Sequence, residues 1–305
     1  MSHHIVSIDE PVCDIFCRDG RLFCASEDLE RSLPLEDVAA VVVTSFAPRL
    51  HGHLLVQAAK LGVAFVLCEN FRPAAVLLPA NRATDTLLTK AHVSLPKRTR
   101  DRLWDRIIDA KVRNQASLAG AWGGMANSIT SLERLASGRR PSRESLCARS
   151  FWAIFADAVL GDPRFRRDRD GGGANQLLNY GYAVLLSSVL QLCFALGLDP
   201  TIGLHHAVRE RSTPLAYDLM EPFRPAVDRE VASWIANGLG QPLEVTKEFR
   251  RAVTAFLARP TDYQGHEMDL RAALESSLRS FRNAVLNKDA SLFLPWIQPS
   301  SRWVG

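Results

Sequence analysis

Four ionisable residues in two distant places carry the clearest chemical potential of this chain: Glu144, and then His206, Asp218 and Glu221. Two or three carboxylates with an imidazole form a donor set for a divalent cation. Mg2+ is suited to the oxygens, and Mn2+ accepts the imidazole as well. A cation beside a positive surface is what phosphodiester chemistry requires. Glu144 heads a run in which Cys147, Ala148, Phe151, Trp152 and Phe155 recur at helical spacing. These residues make one apolar stripe, which puts Glu144 at the head of the core-facing side. A carboxylate there must be paired, hydrogen-bonded or metal-bound. Equally, an acid just after Ser142 serves the first turn of a helix. Asp218 and Glu221 are three residues apart and share a helical face, with Pro222 distorting the helix or marking a new start. The alternative is an acid pair saturated by Arg211, Arg224 or Arg229. His205 and His206 are adjacent, and spacing does not choose between them.

Arginines surround the first of these places. Arg139, Arg140, Arg143, Arg149, Arg164, Arg166, Arg167 and Arg169 face only four acids and have no lysine among them. The stretch therefore carries +4, as much as the whole chain. Clustered guanidiniums favour phosphate, although a charge run is also the mark of a solvated face. A hydrophobic content of 47% and a charged content of 23% belong to an ordinary folded protein. The six cysteines form no Cys-x-x-Cys pair and read as small buried residues of a reducing cytoplasm. The N-terminus has no signal-type pattern, so a cytoplasmic location is expected. Residues 171–198 carry no charge, but Asn175, Gln176, Asn179, Ser187, Ser188 and Gln191 interrupt them on several faces. A buried central helix is expected there, not a membrane span. No Gly-rich phosphate loop, dinucleotide fingerprint or nucleophile elbow is present.

The elements that must position these residues fall into two kinds, giving an α+β protein. Residues 4–9, 12–17, 21–25, 38–45, 63–68 and 74–78 read as strands, with Asp19-Gly20 as a hairpin turn. The run at 38–45 is apolar throughout, as in a strand buried on both faces. One short helix, 50–61, ends at Gly62. This small N-terminal β-rich domain spans residues 1–82. From residue 83 to 305 the pattern is that of a larger, all-helical domain. Leu103, Ile107, Ala110 and Asn114 mark a buried helical stripe. A loop rich in Arg, Asp and Gly spans 161–173, and further helices are expected at 175–196, 225–237, 243–258 and 268–287. The end, with Pro295, Pro299, Ser300 and Ser301, reads as a loose tail.

Taken in order, these pieces resemble the CRISPR-associated spacer integrases, the "Cas-one" family, and among them the forms found with type II systems. The resemblance rests on Lys111 to Ala116, Glu144 to Ala148 and Asn175 with Leu178-Asn179-Tyr180-Gly181-Tyr182. It continues through Gly203-Leu204-His205-His206 and Asp218 to Pro225. It implies that Glu144, His206 and Glu221 bind Mg2+ or Mn2+, with Asp218 as an adjacent acidic partner, and that Asn179 and Tyr180 organise the site or the core behind it. It also implies double-stranded DNA as substrate and a homodimer through the N-terminal domain. Two such dimers would flank the small "Cas-two" adaptation protein in a heterohexamer. The reaction implied is the joining of a 3′-hydroxyl to a repeat phosphodiester. The eight arginines are the group from which its phosphate contacts would come. A stand-alone metal-dependent nuclease and a non-enzymatic DNA-binding scaffold are the competing readings.

Overall fold

The computed structural model describes residues 4–27, 29–45, 47–69, 72–79, 83–123, 126–138, 142–205, 213–238, 243–299 and 303. The N-terminal part holds two four-stranded sheets. In the first, β2 (Val12–Arg18) pairs with β3 (Arg21–Ala25), β3 with β4 (Glu30–Pro34), and β2 also with β6 (Ala47–Leu50). The expected Asp19-Gly20 turn is present. Both residues have positive φ, 50° and 71°, which is the backbone that a two-residue hairpin needs. In the second sheet, β5 (Val38–Val43) lies between β1 (His4–Ile8) and β7 (Ala64–Glu69), parallel to both. The strand β8 (Arg72–Leu77) closes the edge beyond β7.

The parallel arrangement explains the uninterrupted apolar run of β5. Val41 and Val43 face a core shared with Leu54 and Ala58 of α1 (Gly52–Lys60). Ala40 and Val42 face the other way, onto Ala195 at the end of a long helix, α6 (Ala174–Ala195). The strands β4 and β6 were not anticipated. β4 is an edge strand that begins with three exposed residues, and β6 is a four-residue edge containing Pro48, so neither has an apolar run to betray it.

The second part is mostly helical. It comprises α2 (Ala83–Val93), α3 (Lys97–Ala121), α4 (Ala126–Ser137), α5 (Arg143–Ile154), α6, α7 (Pro214–Met220), α8 (Arg224–Ala236), α9 (Lys247–Thr254) and α10 (Leu270–Asn287). The expected junction at residues 82 and 83 adjoins residues 80–82, which lie outside the described ones. As expected, α6 is a core helix. Among the described residues it is the one helix long and apolar enough to cross a membrane, and 56% of its apolar window is buried inside the protein. Gly181 lets it approach α8, because a Cβ there would lie 2.4 Å from Val227 Cγ1. Leu103, Ile107, Ala110 and Asn114 of α3 are fully buried, as their spacing requires.

Two expectations need correction. The second part is not all-helical: β9 (Pro260–Tyr263) and β10 (His266–Asp269) form a hairpin. Its turn is Gln264-Gly265, both with positive φ, and its strands are too short and polar to stand out. Nor is the C-terminal segment loose as far as Pro299; Ser300 and Ser301 lie outside the described residues. Trp296 is 1% exposed and stacks on Phe223 with ring centroids 5.1 Å apart. Its Nε1 donates to Thr261 Oγ1 at 3.0 Å. Asn114 Nδ2 donates to the carbonyl oxygens of Trp296 and Pro222, and Asn114 Oδ1 accepts from Gln298 N at 2.8 Å. The strap is thus tied to α3 and to the turn that carries Glu221.

Candidate active site

Three elements meet at the site. α3 runs through the middle, α5 starts beside it, and the chain between α7 and α8 bends against it. Arg143 fixes the start of α5. Its Nη1 donates to Asp109 Oδ1 of α3 at 3.1 Å, and to the carbonyl oxygens of Ala136 and Gly138 at the end of α4. Cys147, Phe151 and Phe155 are fully buried and hold the α5 stripe in the core. Glu144 therefore points along the first turn toward α3. Its side chain is 39% exposed, so it stands at the rim of the core and not within it. Pro222 ends the regular helix of α7. A tight turn, Glu221–Phe223, follows, and α8 starts at Arg224. Asn114 Nδ2 holds the Pro222 carbonyl at 2.8 Å, so this turn is anchored on α3.

The result is one ammonium between two carboxylates. Lys111 Nζ of α3 lies 2.7 Å from Glu144 Oε1 and 2.7 Å from Glu221 Oε2. The lysine side chain is 12% exposed and that of Glu221 only 6%. Burial pushes the Lys111 ammonium toward deprotonation. Glu221, and then Glu144, outweigh that and hold it above the ordinary lysine range. Arg224 Nε donates to the other Glu221 oxygen, Oε1, at 2.8 Å. Arg224 was foreseen only as a partner for a surface acid pair, whereas Glu221 is a buried acid satisfied by two cations.

Asp218 faces a different side from Glu221. Asp218 is fully buried, and its Oδ2 accepts from the backbone N–H groups of Leu204 and His205 at 2.7 and 3.3 Å. It ties down the loop that leads to residue 206. His205 stacks flat on Trp104 of α3, with ring centroids 4.4 Å apart. His206, the expected imidazole ligand, lies outside the described residues. Among the described residues no three His, Cys, Asp or Glu side chains converge to hold an ion.

Behind Glu221 is a buried polar layer. The Arg224 guanidinium sits 4.6 Å from the Tyr182 ring centre, and the Tyr182 hydroxyl donates to Asp228 Oδ1. Asp228 is 1% exposed. Burial pushes its carboxyl up to about 7, against the pull of the Tyr182 hydroxyl and of Arg224 and Arg167. Arg167 comes from the 161–173 loop. Its two terminal nitrogens donate to Asn175 Oδ1 and Asn179 Oδ1 at 2.9 and 2.6 Å. Asn179 therefore fastens the loop, while Tyr180 packs on Phe249 in the core.

The arginine group divides. Arg143 and Arg167 are half-buried and engaged with partners inside the protein. Arg149, Arg164, Arg166 and Arg169 are exposed, with Arg164 paired to Asp162 at 3.1 Å. Arg139 and Arg140 lie outside the described residues. The sequence marks Lys111 only as part of the Lys111 to Ala116 motif and gives no sign of the Tyr182–Asp228 pair. Lys111 had one signal: it falls four residues after Ile107 and three before Asn114, on the buried stripe of α3.

A family model described as CRISPR associated protein Cas1 matches residues 6–254. The CRISPR-associated endonuclease Cas1 of Neisseria meningitidis serogroup C (strain 8013) is 28% identical over 274 residues, covering 88% of each chain. Among solved structures, a casposase bound to integration product matches with a TM-score of 0.72 at 20% identity, over 98% of this chain and 100% of that one. A partial Cas6-RT-Cas1–Cas2 complex matches with a TM-score of 0.73 at 18% identity, over 97% and 99%. At these identities the structural likeness speaks for the fold.

Proposed function

The chain belongs to the Cas1 family of CRISPR-associated proteins, and from that premise we propose that it is the metal-dependent integrase of CRISPR adaptation, joining the 3′-hydroxyl of captured DNA to a repeat by transesterification. It is an endonuclease and integrase by family. The observation that carries the metal-dependent reading is the shared cation. Glu144 and Glu221, distant in sequence, approach one ammonium at 2.7 Å each. Two carboxylates around one sheltered positive charge fit a divalent ion by donor type and spacing. His206, next in sequence to the backbone that Asp218 holds, would complete the set.

When bound, Mg2+ or Mn2+ would lower the pKa of the attacking hydroxyl and offset charge on the phosphorane-like transition state. The protein's own groups supply placement. Arg224 fixes one oxygen of Glu221, and the bend at Pro222 aims the other toward α3. Asp218 holds the backbone at Leu204 and His205. Arg149, Arg164, Arg166 and Arg169 are exposed and would meet DNA phosphates, and the same role is proposed for Arg139 and Arg140. Residues 1–82 would form the homodimer interface and 83–305 the catalytic domain. The Cas1–Cas2 complex among the similar structures supports Cas2 as partner; two homodimers would flank it, with duplex DNA across them.

The test is a strand-joining assay on duplex DNA with free 3′-hydroxyl ends, in Mn2+ or Mg2+. Glu144→Gln, Glu221→Gln and His206→Ala are each expected to reduce joining by about 100-fold or more. Wild-type joining by all three folded variants would sink the metal site. Hydrolysed ends without joined strands would favour the stand-alone nuclease instead.

A further inference from the structure

Lys111 stands where a cation would enter. Its Nζ is 2.7 Å from Glu144 Oε1 and from Glu221 Oε2. Arg224 takes the other Glu221 oxygen at 2.8 Å. A divalent ion reaching Glu221 therefore meets the oxygen that Lys111 holds. Such an ion sits about 2.0–2.6 Å from carboxylate oxygens. Against the same two atoms it would lie inside the space of the ammonium. Charge argues the same way. Glu144 and Glu221 are already balanced by Lys111 and Arg224, and like charges in contact at a largely buried position repel strongly.

We propose that Lys111 is the built-in counter-ion of this site, holding the cation position between Glu144 and Glu221 until a divalent ion takes it by exchange. This rests on the metal reading of the two glutamates. A lysine is suited to the task, being a compact charge on a flexible four-carbon stem, whereas an arginine would lock a carboxylate in a planar fork. The exit is on the α5 side, where Glu144 is 39% exposed while Glu221 is shut in at 6%. Exchange sets the affinity for the ion, since the site is competent only for the fraction of time that the ammonium is away. It also turns Lys111 from an internal partner into a positive charge at the rim, beside arriving phosphate.

The experiment uses the full chain and Mn2+ alone as probe. Binding is read by electron paramagnetic resonance in the wild type, Lys111→Met and Lys111→Gln. The glutamine keeps a hydrogen-bond donor beside Glu221, should the methionine variant fold poorly. Reductive methylation of Lys111, read by mass spectrometry, is compared in EDTA and in saturating Mn2+. Expected are Mn2+ binding about tenfold tighter or more in the variants, by relief of the competition, and a wild-type Lys111 protected in EDTA but methylated with Mn2+. The proposal is overturned if Lys111 stays protected with Mn2+ bound, or if folded variants bind Mn2+ no tighter than the wild type. Mn2+ binding that Glu144→Gln and Glu221→Gln leave unchanged is a different result, and refutes the metal site itself.

Discussion

Asp228→Asn should flatten the dependence of stability on pH. The Asp228 carboxyl is buried, accepts the Tyr182 hydroxyl and is held at about 7 against an ordinary 3.8. The folded state thus binds this proton more tightly than the unfolded chain does. Below pH 4 both states are protonated, and the group contributes no difference. Between pH 4 and 7 the unfolded chain releases the proton and the folded one keeps it, so stability falls as pH rises. Above 7 the loss is complete. At about 1.4 kcal/mol per tenfold in proton affinity it amounts to about 4 kcal/mol. The groups facing Asp228 are Tyr182, Arg224, Arg167 and Lys111, and all keep their charge state across this range. An asparagine retains an acceptor for Tyr182 and cannot ionise. Its amide faces a side where Asp228 Oδ2 has no donor among the described residues, which adds a constant cost of about 1–3 kcal/mol. The diagnostic is therefore the slope and not the offset. Urea unfolding of both proteins at pH 4.5, 5.5, 6.5 and 7.5 should show the variant gaining on the wild type by several kcal/mol. A difference that stays constant from pH 4.5 to 7.5 would refute the assignment of Asp228 as a neutral buried acid.

Two further outcomes follow from the anchoring of the site. Asp218→Asn replaces a charged acceptor of two backbone N–H groups and should cost about 1.5–3 kcal/mol. Hydrogen exchange at Leu204 and His205 should accelerate selectively, and uniform acceleration across the protein would argue against a local clasp. Trp296→Ala empties a stacked, nearly inaccessible position and should cost about 3–5 kcal/mol. Exchange should also rise at Glu221–Phe223, and an unchanged turn there would show that the strap does not support the site.

Much of the fold was legible because it depends on local pattern. The Asp19-Gly20 turn, the two-faced valine strand and the uncharged core helix each carry their signal within a few residues. β4 and β6 do not, since an edge strand has no second neighbour and need not alternate apolar and polar residues. The β9–β10 hairpin was missed for a similar reason: its four-residue strands gain their core contacts from Trp296 and Gln298, which lie far along the chain. The same long-range contact made the C-terminal segment look loose, because its prolines are visible in the sequence and its partners are not.

At the site, residue type was legible and partnership was not. Glu144 on an apolar stripe had to be satisfied by something, and so did Glu221 if it was buried. Nothing in the spacing says that one lysine of α3 satisfies both. That lysine lies on the buried stripe, where a long cationic side chain is expensive unless acids come to it. Read in that direction, the signal was present. A charged residue in the middle of a core-facing stripe requires opposite charges from elsewhere in the fold, and the chain offers two unexplained acids that begin or interrupt helices. Asp218 shows the limit of such matching. Its place three residues before Glu221 argued for a shared duty, yet the regular helix ends at Met220, between the two acids, and Glu221 opens the tight turn that follows. One faces the α3 lysine, and the other faces the backbone of the loop at 204–205. Helical periodicity holds only while the helix continues, so the two acids that looked most alike in sequence take different contacts among the described residues.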